Sequence, residues 1–492
     1  MATPIPSNRA AFTLEEIVEA TRGSLIDRRR EAMREVVGLF TDSRAIVAGS
    51  AFVALEGETH DGHAFLDKAL ENRAHLLIVE RGRAPETDRA AVLEVDDTLV
   101  AWGDLALAHL TKWRARSVDP SVVAITGSAG KTTTKELTAA LLAVCAPTHF
   151  TAGNLNNRIG VPAVVFALTE VHTFAVLEMG MSLPGELDAI TSFAKPDVSI
   201  VTNVGVAHAE GVGGREGVMH EKGALFRALD HEGVAIINAD DEFVVRAAAA
   251  TKVRRKETFG RSEKAHYRLV SREPKGIGSR VVLSCAGRTL ELDVPFAGEV
   301  VVLDLCAAIA AQEAASRQLL SSDQIARALT KVDLAGRSKV RRLENDLLLL
   351  DDTYNANPAS MRAALATLGE IGKGRRLVAV LGEMKELGEL TKEEHIALGD
   401  SIAEANVKLA IGVGGAMEQA IDRAGERGVE TVRFASDAAG AVELVCPEIR
   451  PGDAILVKGS RSVGTEKVVA AIVAEWPEVL PISGKSASSG AS

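Results

Sequence analysis

Short apolar runs, each closing on a polar or glycine-rich cluster, recur along most of this chain. The runs at 122–126, 175–178, 199–203, 234–238, 347–352, 377–382, 409–412 and 455–458 are apolar at both alternate positions. A strand that is apolar on both sides must be covered on both sides, as in a parallel sheet flanked by helices. Helical patterns of roughly ten or more residues separate many of the runs, so α/β units are expected. The closing clusters are TGSAGKTTT, EMG, TNVGVAH, NADDE, DDTYNANP, LGEMKELGE and VKGSRS. In open α/β sheets ligands bind beyond the carboxyl ends of the strands. Turn chemistry explains the Gly, Asn and Asp of these clusters, but it does not call for Lys131, Glu178, His208 or Lys458.

The length of 492 residues, at about 150 residues per domain, suggests three domains. The stretch TKWRARSVDPS reads as a linker closing a first domain at 1–115. The stretch DLAGRSKVRR breaks the pattern near 336, which separates domains at 116–335 and 336–481. The end, ISGKSASSGAS at 482–492, reads as a disordered tail.

Composition removes several classes. Apolar residues make up 47% and charged residues 25%, a globular balance that excludes disordered and collagen-like chains. Lys and Arg number 56 against 67 Asp and Glu, for a net charge of −11. A general nucleic-acid binder needs a basic face, so none is expected, although a local phosphate site remains open. Aromatics are only 4%, so the cores must be built from Ala, Val, Leu and Ile. No apolar run is long enough to predict a transmembrane helix. MATPIPSNRAAF lacks the basic start and apolar run of a secretory signal. Cys145, Cys285, Cys306 and Cys446 are far apart, as expected of reduced thiols in a cytoplasmic protein without a zinc site.

The strongest local signal is the strand 122–126 running into Gly127-Ser128-Ala129-Gly130-Lys131-Thr132-Thr133 and then a helix with Leu137, Leu141 and Val144 on one face. Glycines let backbone wrap phosphate oxygens, and the helix start adds N–H groups and a positive dipole end. Lys131 would reach the β- and γ-phosphates, and the Thr132 hydroxyl would bind Mg²⁺. Ile125 stands where the longer form of this loop has its first glycine, so this is the short G-x-x-G-K-T form. It indicates a nucleoside triphosphate without saying which reaction. Glu178 and His208, at later strand ends, could add metal ligands. Lys222, in HEKGALF, reads as the start of a helix.

These motifs occur in a characteristic order. TDSR (41–44) and FVALEGETHDGHAF (52–65) are followed by the phosphate loop with TTTKE, then TAGNLNNRIGVP (151–162) and LEMGM (177–181). TNVGVAH (202–208), NADDE (238–242), DDTYNANPASM (351–361), LGEMKELG (381–388) and KGSRS (458–462) complete the series. Over about residues 40–465 the chain resembles the Mur ligases of bacterial peptidoglycan synthesis. The resemblance implies three domains: a smaller N-terminal α/β domain for a UDP-linked substrate, a central P-loop ATPase-type domain and a C-terminal Rossmann-like domain. It also implies ATP- and Mg²⁺-dependent amide formation through an acyl phosphate, by a cytoplasmic monomer. DDTYNANP and LGEMKELG favour the branch joining D-alanyl-D-alanine to UDP-N-acetylmuramoyl-tripeptide over its siblings and over folylpolyglutamate synthetases.

Residue by residue, the resemblance assigns Lys131, Glu178, His208 and Lys222 to catalysis. Thr132, Glu178, His208 and a carbamylated Lys222 would be the metal set. Asn203, Arg337, Asp352, Tyr354 and Asn355 would join the phosphate loop around ATP. Asp42, Ser43, Arg44, Thr151, Asn154 and Asn157 would face the UDP-substrate. Lys458 and Arg461 could meet phosphate or a peptide carboxylate, or could be surface charges. Asn357 could instead be a helix cap before Pro358, starting a helix with Met361, Leu365 and Leu368 on one face. One departure stands out. Where the family has G-x-H-N-x-x-N, this chain has Val300, Val301 and Asp304, so no adenine-binding role is carried over to them. That loss leaves open a nucleotide-binding switch without ligase turnover.

Overall fold

The computed structural model describes residues 3, 5–26, 35–57, 60–205 and 209–479. His208 and the tail expected at 482–492 lie outside the described residues. The chain divides into two compact units. The first comprises Met1–Leu269, Leu283–Leu290 and Leu303–Val332, and the second Val270–Val282, Glu291–Val302 and Asp333–Ser492.

Among its described residues the first unit contains two large sheets and a small antiparallel pair, Ala11–Phe12 with Val36–Val37. The N-terminal sheet has the order Ser24–Ile26, Ala91–Val95, Leu76–Glu80, Ala51–Val53, Leu39–Phe40. Its first pair is antiparallel and the rest are parallel. The central sheet runs Thr148–Phe150, Phe174–Glu178, Ser121–Thr126, Val198–Val201, Val234–Asn238, Arg255–Gly260, all parallel. Three further strands, Tyr267–Lys275, Gly278–Cys285 and Arg288–Val294, follow in the chain, and much of their length belongs to the second unit. The expected strands are present to within a residue or two, because each is apolar on both sides and buried on both sides. Ser121–Thr126 lies between strands that follow it in opposite directions across the sheet. Its carboxyl end is therefore a switch point, where α/β sheets bind ligands.

Residues 111–116, expected to be a linker, are instead the last turns of the helix Thr98–Arg116, which Asp97 caps by accepting from the Leu99 and Val100 N–H groups. The helix extends this far because Trp113 is buried and donates its indole N–H to the His172 carbonyl at 3.0 Å. Trp102 does the same to Ile159. Ile17, Val53, Leu93, Trp102, Phe166 and Leu177 belong to one apolar core that the two sheets share.

The second unit is built on the sheet Lys339–Leu343, Leu347–Asp352, Ala454–Lys458, Leu377–Gly382, Leu409–Val413, Thr431–Ala435. Only its first pair is antiparallel. Ala454–Lys458 is inserted between two strands that precede it in the chain, so this sheet also has a switch point. Asp352 and Lys458 are register partners at that end. The architecture is α/β with parallel sheets, as the sequence predicts.

Candidate active site

The phosphate loop leaves Ser121–Thr126 and enters the helix Lys131–Cys145. Two glycines make the turn possible. A Cβ on Gly127 would lie 1.8 Å from the Thr202 hydroxyl, and Gly130 has φ +79°, with the Asp304 carboxylate where a Cβ would point. Leu137, Leu141 and Leu142 bury the helix, whereas Val144, expected on that face, is largely exposed. The neighbouring strand end shapes the loop. Asn203 accepts from the Ala129 N–H at 2.9 Å and donates to the Ala129 carbonyl at 3.0 Å. Thr202 donates to the same carbonyl at 2.5 Å. The Ser128 hydroxyl accepts from the Gly205 N–H. Asn203 therefore acts on the loop backbone through both ends of its amide. Lys131 donates to the Gly127 carbonyl at 2.7 Å, folded back along the loop where phosphate oxygens would replace that carbonyl.

Glu178 closes the next strand. It is 2% exposed, and its carboxylate accepts from the Thr132 hydroxyl at 2.5 Å and the Asn156 amide at 2.8 Å. Its backbone N–H donates to the Thr151 hydroxyl. A buried carboxylate is tolerated only when its oxygens are bonded. These bonds give Glu178 one orientation, toward the phosphate loop.

Lys222 is the last residue of the helix Gly214–Lys222, rather than the start of one. The preceding GREGVMHE is polar and glycine-rich, so it carries little helical pattern, and the apolar pattern visible in sequence begins only after Gly223. Lys222 is 2% exposed. Burial pushes its amine well below the usual lysine range, with repulsion from Lys131 adding to this and Glu221 opposing it. A neutral amine is a nucleophile, as addition to CO₂ requires.

The structure thus brings together Lys131, Thr132, Thr151, Glu178, Asn203 and, through its interaction with Lys131, Lys222. Asn157 accepts from the Ile159 and Gly160 N–H groups, at the start of the helix Gly160–Phe166. Asn154 accepts from the Thr3 hydroxyl. Asp42, Ser43 and Arg44 form a turn of their own after Leu39–Phe40. Asp42 accepts from the Arg44 backbone N–H and guanidinium, and that guanidinium holds the Asp42 carboxyl below its usual range. Asn156, which bonds Glu178, was not among the expected site residues, and Asp304, beside Gly130, was expected only as a departure from the family pattern. Asn156 lies inside the motif TAGNLNNRIGVP, but nothing in the sequence set it apart from its neighbours.

In the second unit, the Arg337 guanidinium lies 3.5 Å from the Tyr354 ring centroid, a cation–π distance. Lys458 donates to the Asp352 carboxylate at 2.6 Å and to the Asn355 carbonyl at 2.8 Å. It is a buried strut, neither a surface charge nor a group reaching outward. Ser338 N–H donates to the other Asp352 oxygen. Asn357 caps the helix Pro358–Ile371 by accepting from the Ser360 N–H. Met361, Leu365 and Leu368 are buried on one face of it.

A phosphate loop over a switch-point strand, with a buried carboxylate bonded to its threonine, defines a nucleoside-triphosphate-dependent α/β enzyme. Family comparison narrows that class. Residues 35–110 match the catalytic domain model of the Mur ligase family, 125–312 the Mur ligase middle domain and 336–461 the Mur ligase glutamate ligase domain. The chain belongs to the Mur ligase family. It is 35% identical to the UDP-N-acetylmuramoyl-tripeptide–D-alanyl-D-alanine ligase of Synechocystis sp., over 89% of this chain and 92% of that one. It is 34% identical to the enzyme of that name from Escherichia coli, over 94% and 98%. A MurF crystal structure from Acinetobacter baumannii superposes with TM-score 0.83 at 31% identity, covering 96% of this chain and all of that one. MurF from Thermotoga maritima in complex with ADP gives 0.79 at 26% identity, covering 89% and 97%.

Proposed function

We propose that this chain is an ATP-dependent, ADP-forming ligase that joins D-alanyl-D-alanine to UDP-N-acetylmuramoyl-tripeptide in peptidoglycan precursor synthesis. The observation that carries this reading is the Thr132–Glu178 junction of phosphate loop and buried carboxylate, in a chain that covers nearly the full length of relatives so named. A carboxylate is a poor electrophile. Transfer of the γ-phosphoryl group to the tripeptide's terminal carboxylate supplies a leaving group. The amine of D-alanyl-D-alanine then attacks the acyl carbon, and phosphate departs.

The phosphate-loop N–H groups and Lys131 would hold the transferring group in line. Thr132 and Glu178 offer hard oxygen donors, which suit Mg²⁺. Bound there, Mg²⁺ would offset charge on the phosphoryl oxygens. A carbamylated Lys222 would add a second carboxylate, and its lowered amine pKa supports that modification. His208 remains a further proposed ligand.

In the same reading Asp42, Ser43, Arg44, Thr151, Asn154 and Asn157 serve the UDP-substrate. Arg337, Asp352, Tyr354 and Asn355 serve the nucleotide. Domain limits at 1–115, 116–335 and 336–481 correspond to these tasks. The use of ATP and four free cysteines support a cytoplasmic location, and the chain is read as a monomer.

Phosphate release from ATP, measured with D-alanyl-D-alanine and UDP-tripeptides carrying either meso-diaminopimelate or L-lysine, tests the reading. Release should require both substrates, and Lys131→Ala should lower it by about 10²-fold or more. ATP binding without stimulated release by either tripeptide would mean a nucleotide switch instead.

A further inference from the structure

Lys135 lies one turn beyond Lys131 on the phosphate helix, with its side chain 0% exposed. Burying an ammonium group costs several kcal/mol unless it is paired and bonded. None of the roles assigned above to nucleotide, metal or substrate uses this one. Its Nζ donates to the Thr151 carbonyl at 2.7 Å and lies 2.7 Å from a Glu136 carboxylate oxygen. It also sits 5.5 Å from the Phe150 ring centroid.

The Thr151 bond closes a ring. From the phosphate helix, Thr132 donates to the Glu178 carboxylate. The Glu178 N–H donates to the Thr151 hydroxyl. The Thr151 carbonyl accepts from Lys135, which returns to the same helix three residues after Thr132. All four residues are buried, so water has little access to loosen the ring. Asn156, five residues beyond Thr151, ties the same loop to the other Glu178 oxygen.

We propose that Lys135 is a positioning residue: it holds the loop 151–157 and the Glu178 carboxylate to the phosphate helix, so that acid substrate and γ-phosphate stay in register. The proposal rests on the ligase reading and on loop 151–157 serving the UDP-substrate. Lys131 and Lys135 stand at i and i+4 on one side of the helix. The first serves the phosphates, and the second serves the loop behind them.

Lys135→Met and Lys135→Gln in the full chain test this. A hydrogen bond from a charged donor contributes about 1.5–3 kcal/mol, so the Met variant should raise KM for the UDP-tripeptide by roughly tenfold or more. The Mg²⁺ concentration for half-maximal rate should rise with it. ATP affinity, measured by binding without the other substrates, should stay within about twofold, because the loop backbone and Lys131 are untouched. Gln, which keeps a donor, should recover most of the KM and Mg²⁺ effects, and it carries the comparison if the Met variant does not fold. Equal losses in ATP affinity and tripeptide KM would make Lys135 a packing residue and overturn the proposal, as would unchanged KM and Mg²⁺ dependence. Wild-type turnover reports separately on the ligase reading, and its absence would remove both.

Discussion

At the scale of single residues, the site depends on buried charges that each have a partner. Glu178→Gln keeps the shape of the side chain and removes its charge. Turnover should fall by about 10²–10³-fold if that charge holds a cation against the transferring phosphoryl group. The melting temperature should change little, because an amide can still bond Thr132 and Asn156. Phosphate release and a thermal melt on the same sample check both halves. Lys222 gives a pH signature. Its folded-state pKa lies well below 10.5, so between those two values the unfolded chain binds the extra proton and stability rises with pH. In CO₂-free buffer, Lys222→Met should therefore melt higher than wild type at neutral pH. That advantage should shrink as pH rises toward 10. A constant gap across that range would show that Lys222 is charged in the folded protein. The sequence made Glu178 legible through its place after an apolar strand. Asn156 and Lys135 were not legible, because nothing local shows that residues 22 and 16 positions from their partners become hydrogen-bonded to them.

At the scale of elements, pattern served well where burial was two-sided and poorly where it was not. The strand Leu377–Gly382 was readable because every residue in it is buried. The helix Gly214–Lys222 was not, since only Val218, Glu221 and Lys222 of it are buried. Turn chemistry was legible at Asn357, whose capping geometry is what Asn before Pro implies. Asn357→Ala should cost about 1 kcal/mol, and Asn357→Ser should cost much less. Neither should alter KM for ATP by more than about twofold if capping is the whole role of the side chain. Denaturation midpoints and steady-state kinetics separate the two roles. The phosphate loop is an element held from outside. Asn203→Ala removes both amide bonds to Ala129, about 1–3 kcal/mol in all. ATP binding, measured by calorimetry, should weaken by roughly tenfold, while the strand Val198–Val201, all of it buried, keeps its place.

For the whole molecule, the length predicted three domains, and among the described residues three sheets of five or more strands are present. Yet the N-terminal sheet and the strands Thr148–Phe150 to Arg255–Gly260 of the central sheet fall in one compact unit. The reason is the helix Thr98–Arg116, whose polar, arginine-containing end disguised it as a linker. Its buried face carries Trp102, Leu105, Leu110 and Trp113 into the shared core. Sequence reveals a domain boundary by a change of composition, but it does not show that a core continues across that change. The ring of Trp102 packs against Phe166 at 4.7 Å between centroids, and its N–H reaches Ile159. Both partners belong to the central part of the chain. Trp102→Ala should therefore cost about 3–5 kcal/mol and should act on both sheets together. Scanning calorimetry of the full chain should show two transitions, one per unit. The variant should lower one of them by several degrees and leave the other in place. A third transition, appearing as the N-terminal sheet melts alone, would show that the shared core is too weak to couple them.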